Sequence, residues 1–225
     1  MVSMVSMVSK LARSAGGVFA LVGAGVLAGC SVLPAPPQRA EVYDFGPGQM
    51  AVAPTDRRAP LPAIALAEVG STGGMPEGSS ALLYRLSYSN AQQLRPYTQA
   101  RWSLPPAQLV QQALRDRLGQ RRAVLLGEDG IAQQLKGGAL PTVVRVELEE
   151  FSQVFTAPAA SVGLVRLRVS LAESSTAGER LLAQRMFVVQ QPAATSDAAG
   201  GAHALAQATA QAADELAQWI EQAGR

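Results

Sequence analysis

At 225 residues, 48% hydrophobic and 16% charged, the chain has the proportions of a folded protein with a packed core. Nineteen Lys and Arg against seventeen Asp and Glu leave a formal charge of only +2, too little for the concentrated positive face that displaces phosphate counterions, so nucleic acid is excluded as a partner. One cysteine rules out an internal disulfide and one histidine leaves no zinc ligand set, so stability must come from packing, and no metal site or cofactor is expected.

In chain order, Lys10 and Arg13 precede an uncharged run from Val18 to Leu27. About ten residues is half of what a membrane-spanning helix needs, and it suits the apolar region of a signal peptide. The run ends in Leu27-Ala28-Gly29-Cys30, which resembles the lipobox of bacterial lipoproteins. That resemblance implies diacylation of the Cys30 sulfur, cleavage between Gly29 and Cys30, and a further acyl chain, such as palmitate, on the new amino terminus. One acyl chain binds a membrane marginally and two suffice for stable anchoring, so the expected partner of the N-terminus is a membrane. Ser31, where an Asp would retain the protein at the inner membrane, points to the periplasmic face of the outer membrane. Met1-Val2-Ser3 recurs at Met4 and Met7, which leaves the start codon open among the three. Loss of residues 1–29 removes Lys10 and Arg13, hence all the net charge, and leaves roughly 200 residues, enough for one domain.

Residues 30–40 contain Pro34, Pro36 and Pro37 and read as an extended tether, with a single α/β domain expected over 41–225. A short strand, Glu41 to Phe45, is stopped by Gly46-Pro47-Gly48, a Pro-rich stretch follows over 53–62, and Ala63 to Val69 reads as a strand before a Gly/Ser loop, 70–80. Ala81 to Tyr88 and Tyr97 to Trp102 read as the arms of a β-excursion joined by the polar stretch 89–96. Pro105 and Pro106 suit a first helical turn, and Leu109, Val110, Ala113, Leu114 and Leu118 recur at helical spacing up to Gly119. A strand at 123–126 leads into 127–138, where one helical turn would fit.

Val144, Val146 and Leu148 alternate with Arg145, Glu147 and Glu149, and Val165, Leu167, Val169 and Leu171 alternate with Arg166, Arg168 and Ser170, giving two strands each with one wet face. Their opposite charges suit a hairpin with Glu147 and Glu149 facing Arg166 and Arg168. A third strand, 181–190, is apolar on both faces around Met186 to Val189, which predicts a central or covered position. Leu205, Thr209, Ala212, Leu216, Trp219 and Ile220 predict an amphipathic helix over 202–222. The expected architecture is two-layer α/β: a mixed, largely antiparallel sheet with two helices packed on one face.

The order of these features resembles the ABC-type transport auxiliary lipoproteins, the group containing the PqiC-like intermembrane lipid-transport lipoproteins. The resemblance rests on the lipobox and tether, Tyr43-Asp44-Phe45-Gly46-Pro47, Leu83-Tyr84-Arg85-Leu86 leading to Arg101-Trp102, the helix from Pro105, the three-strand meander and the final helix. It implies a non-catalytic outer-membrane lipoprotein working with a mammalian-cell-entry (MCE) protein and an inner-membrane ABC permease and ATPase, moving phospholipid or another apolar solute. Self-association is left open. No Gly-x-x-x-x-Gly-Lys-[Ser/Thr] loop occurs, so ATP hydrolysis would lie in another subunit.

Other readings stay beside it: a structural or assembly lipoprotein without a transport role, and an envelope hydrolase. The hydrolase would need His203 as its base without a Gly-x-Ser-x-Gly elbow, and Glu149 and Glu150, adjacent on a strand, should point to opposite faces and not converge. Tyr84, Arg85, Tyr88, Arg101 and Trp102 are the candidate partner interface, in keeping with the frequency of Tyr, Trp and Arg at binding hot spots. As such anchors, Arg85 or Tyr88 truncated to alanine should weaken binding without loss of stability, while Trp102 also suits the core.

Overall fold

The computed structural model describes residues 39–48, 60–72, 78–126, 140–175 and 178–225. The chain divides into Met1–Arg39 and Ala40–Arg225, and every element below belongs to the second part. The lipobox, the proline tether and the expected turn at 127–138 lie outside the described residues.

The longest elements form an antiparallel meander: β7 (Thr142–Ala157), β8 (Ala160–Ser175) and β9 (Gly178–Pro192). On its other edge β7 pairs in succession with three short parallel strands, β2 (Ile64–Leu66), β3 (Gly70–Ser71) and β4 (Ala81–Leu86). β6 (Val124–Leu126) extends β2 in parallel. β5 (Ala91–Trp102) runs antiparallel to β4 and carries β1 (Glu41–Tyr43) in parallel on its far side. Five of the eight pairings are parallel, so the nine-stranded sheet is mixed, and its antiparallel character comes from the length of the meander.

The periodicity of 105–118 appears as α2 (Pro106–Leu118), which has proline in its first turn, Arg115 and Arg117 in its last, and Gly119 donating its N–H to the Arg115 carbonyl. The final helix, α3 (Ala198–Gln222), begins four residues before the apolar spacing predicted. Its start is set by Asp197, whose carboxylate accepts from the Gly200 N–H at 2.8 Å. That bond, with one from Thr195, holds the Asp197 carboxyl below the usual range.

α3 packs on the meander and against α2. Val165, Leu167, Val169, Leu171, Phe187 and Val189 are buried in one cluster with Leu205, Leu216 and Ile220, and the Phe187 and Trp219 rings meet edge-on at 5.7 Å. The alanine-rich helix sits close to β8: a Cβ on Gly163 would stand 2.6 Å from the Ala204 carbonyl carbon and the Leu205 nitrogen. No helix among the described residues is long and apolar enough to cross a membrane.

Three expectations change. Residues 87–90 form a helical turn, α1 (Ser87–Asn90), and the polar stretch from Ala91 is already strand, so the loop of the excursion is shorter than the polarity of 89–96 implied. Gly70–Ser71, read as loop, is strand because β7 offers it an edge. β9, read as central or covered, is covered by α3 on the face of Phe187 and Val189 only; among the described residues it is an edge strand paired with β8 alone, and on its other face Met186 and Val188 are about half exposed, at 42% and 52%.

Candidate functional site

The face of the meander turned away from α3 carries a network of ion pairs created by a break in the register of β7. Leu148 lies opposite Leu167, but Glu150, not Glu149, lies opposite Arg166, so Glu149 is the extra residue of a β-bulge. Core residues on β7 accordingly switch from Val144, Val146 and Leu148 to Phe151, two steps of alternation having become three residues. The bulge brings the two glutamates to the same guanidinium. Arg166 lies 3.9 Å from Glu149 and 3.8 Å from Glu150. The expectation that adjacent glutamates diverge fails here, because alternation holds only within an unbroken register.

Both carboxylates are held by arginine. Glu149 accepts from the Arg168 Nε at 2.7 Å. Glu150 is held by a bidentate fork from Arg85, Nε to Oε1 at 3.1 Å and Nη2 to Oε2 at 3.0 Å, and by the Ser152 hydroxyl at 2.6 Å. The second terminal nitrogen of Arg85, Nη1, donates to the carbonyls of Ala91 and Gln92, both at 3.3 Å. Arg85 therefore ties β4, β7 and the entry to β5 together. Glu147, directly opposite Arg168 as expected of the hairpin, is exposed.

Arg166 is the least satisfied member. Its Nε–H is screened from solvent without an acceptor. Across the β8–β9 pairing, Arg166 stands opposite Val188 and Arg168 opposite Met186, so exposed apolar side chains border the charges. That mixture of arginine and apolar groups is typical of protein-contact surfaces.

The five residues proposed as an interface do not share one surface. Trp102 is fully buried, in an edge-on contact with Phe45 at 5.7 Å and a tilted one with Phe151 at 5.5 Å. Tyr84 is half-buried beside Tyr97 and Phe155, with ring centroids 4.7 and 5.9 Å away. The Tyr97 hydroxyl, pushed up to about 12 chiefly by burial, donates to Gln153, which in turn donates to Ser161. Tyr88, on α1, and Arg101, on β5, are exposed. His203 is exposed on α3.

Elsewhere, a groove of about 1080 Å³ runs between α2, α3 and the Asp44–Gly48 turn. Its walls include Ala113, Ala206, Ala210 and Ala213, and the Arg117–Asp214 ion pair lies within it. Among the described residues no group of three or more His, Cys, Asp or Glu side chains could hold a metal ion.

The sequence pointed to the glutamates and arginines of the hairpin by their alternation. It did not mark Met186 and Val188 as surface, because an apolar edge and an apolar centre have the same composition.

A family model described as the ABC-type transport auxiliary lipoprotein component matches residues 79–217, from just before β4 to near the end of α3. Among solved structures the chain is similar to protein XCC0632 from Xanthomonas campestris, with 19% identity and a TM-score of 0.62 over 81% of this chain and 96% of that one. It is also similar to an uncharacterized protein, with 14% identity and a TM-score of 0.55 over 81% and 99%. These likenesses show the fold. No curated protein matches the chain.

Proposed function

We propose, because this chain belongs to the ABC-type transport auxiliary lipoprotein family, that it is a non-catalytic, membrane-tethered component of an MCE-type ABC system carrying phospholipid or another apolar solute across the envelope. The observation that carries this reading is the family match, which spans most of the described sheet and both longer helices. The site chemistry agrees: the carboxylates that would serve an acid–base mechanism are held in arginine pairs. ATP hydrolysis belongs to the partner ATPase, and this chain supplies an anchor and a surface. The anchor is Cys30, its acyl chains seated in the periplasmic leaflet of the outer membrane, with the prolines of 30–40 spacing the domain from it.

Two experiments test this. Cys30→Ser removes the acyl acceptor, so the precursor should stay unprocessed in the inner membrane and take up no radiolabelled palmitate. Label still entering that variant would refute the anchor. For the transport role, the native lipidated protein should co-purify with the MCE protein and permease encoded in the same genome. A protein that retains its outer-membrane anchor yet binds neither would be a structural or assembly lipoprotein instead.

A further inference from the structure

We infer that the guanidinium of Arg122, in the turn between α2 and β6, holds a phosphate-type oxyanion, free or as the diester of a lipid headgroup. Arg122 is 6% exposed and its Nη1 is screened from solvent without an acceptor. Among the described residues no hydrogen bond or ion pair reaches any of its nitrogens. Burial lowers its pKa, with Glu221 opposing, yet an arginine stays protonated in a protein. A buried lysine or histidine can shed its proton and escape the cost of an unpaired charge. Arg122 cannot, so its charge calls for an anion.

The neighbouring groups are already engaged. Glu221, on α3, is the one carboxylate close enough to favour the charge, and it accepts from Nη1 of Arg121 at 2.8 Å, while Arg121 opposes a second cation. At the end of α2 the carbonyls of Arg115, Arg117 and Leu118 accept from the N–H groups of Gly119, Gln120 and Arg121. The helix terminus therefore favours a cation without lending it those oxygens. The backbone on both sides of Arg122 is pinned, since the carbonyls of Arg121 and Ala123 accept from Leu61 and Ile64 at 3.0 and 3.1 Å. Arg121 and Arg122 against Glu221 leave a single positive charge over. A phosphodiester carries one negative charge, and its oxygens match the planar fork of a guanidinium. Nη1 is the one nitrogen of Arg122 both screened and unpartnered, so Nε and Nη2 keep the solvent contact through which an anion reaches them.

The test is a set of thermal melts of the full-length protein at constant ionic strength, with sodium chloride as reference and inorganic phosphate, glycerophosphoglycerol or acetate added. Phosphate or the diester should raise the melting temperature by roughly 5–10 °C at a hundredfold excess over its dissociation constant. The stronger of the two identifies the source, free phosphate or lipid headgroup. Arg122→Met keeps the bulk and removes the charge, so in chloride it should melt at or above the parent, and neither anion should move it. Arg117→Met, on the same helix, should keep the full response. Arg122→Lys keeps the charge and loses the fork, and by calorimetry at 25 °C should bind about tenfold more weakly or worse. A parent indifferent to both phosphate probes, an equal response to acetate, a response retained by Arg122→Met, or undiminished binding by Arg122→Lys would each overturn the proposal. None of these readouts depends on a transport partner, so the functional assignment stands or falls separately.

Discussion

Trp102→Ala is expected to destabilise the domain by about 3–5 kcal/mol, the usual cost of emptying a large aromatic site in a core that relaxes only partly. The indole is fully buried among Phe45, Phe151 and the surrounding core, and its backbone N–H donates to the Ser80 carbonyl at 2.7 Å. Set against a typical total of about 5–15 kcal/mol, such a loss would leave the variant marginal. A urea melt followed by fluorescence and far-UV circular dichroism measures it. Trp102→Phe should cost distinctly less, for two reasons. The ring contacts largely survive, and the indole N–H, which is buried without an acceptor, disappears. An alanine variant within about 1 kcal/mol of the parent would mean that Trp102 does not anchor this core.

Arg85→Ala is expected to cost about 3 kcal/mol, as breaking a largely buried ion pair from one side does. The side chains of Arg85 and Glu150 are 18% and 9% exposed, so truncation strands a carboxylate that then keeps only Ser152 and the distant Arg166. It also frees the carbonyls of Ala91 and Gln92 at the turn into β5. Arg85→Lys should recover little, because one ammonium cannot reproduce the fork. Replacing Arg85 and Glu150 together by Met and Leu should cost far less than either single change, and a double-mutant cycle over the four proteins measures that coupling. Additive losses would show that the pair contributes nothing. This expectation replaces the one drawn from sequence, in which Arg85 was a surface anchor whose loss would spare stability. For Tyr88 the structure gives only its exposure on α1, and a partner-binding role there stays a proposal.

The amino-acid sequence by itself determined the longer elements and, β9 apart, their faces. The periodicity of Leu109 to Leu118 and of Leu205 to Ile220 specified two helices. The alternation of Val144 to Leu148 and of Val165 to Leu171 specified two strands with a buried side and a charged side, and their opposite charges specified the hairpin. These signals are local: side-chain spacing of 3.6 or 2 follows from backbone geometry within a few residues.

Neighbours were a different matter. That β7 would take three short parallel strands along one edge, that Gly70–Ser71 would be one of them, and that β9 would end the sheet depend on which edges remain free once the whole chain has collapsed. Alternation encodes a face, not a partner. The bulge at Glu149 was likewise decided in tertiary structure. Leu148 and Phe151 both enter the core although three residues apart, which one extra residue in β7 permits, and that residue turns Glu149 and Glu150 toward a common arginine. Arg85 became a structural residue for the same reason, because only the assembled sheet brings a strand residue within reach of a carboxylate sixty-five positions away.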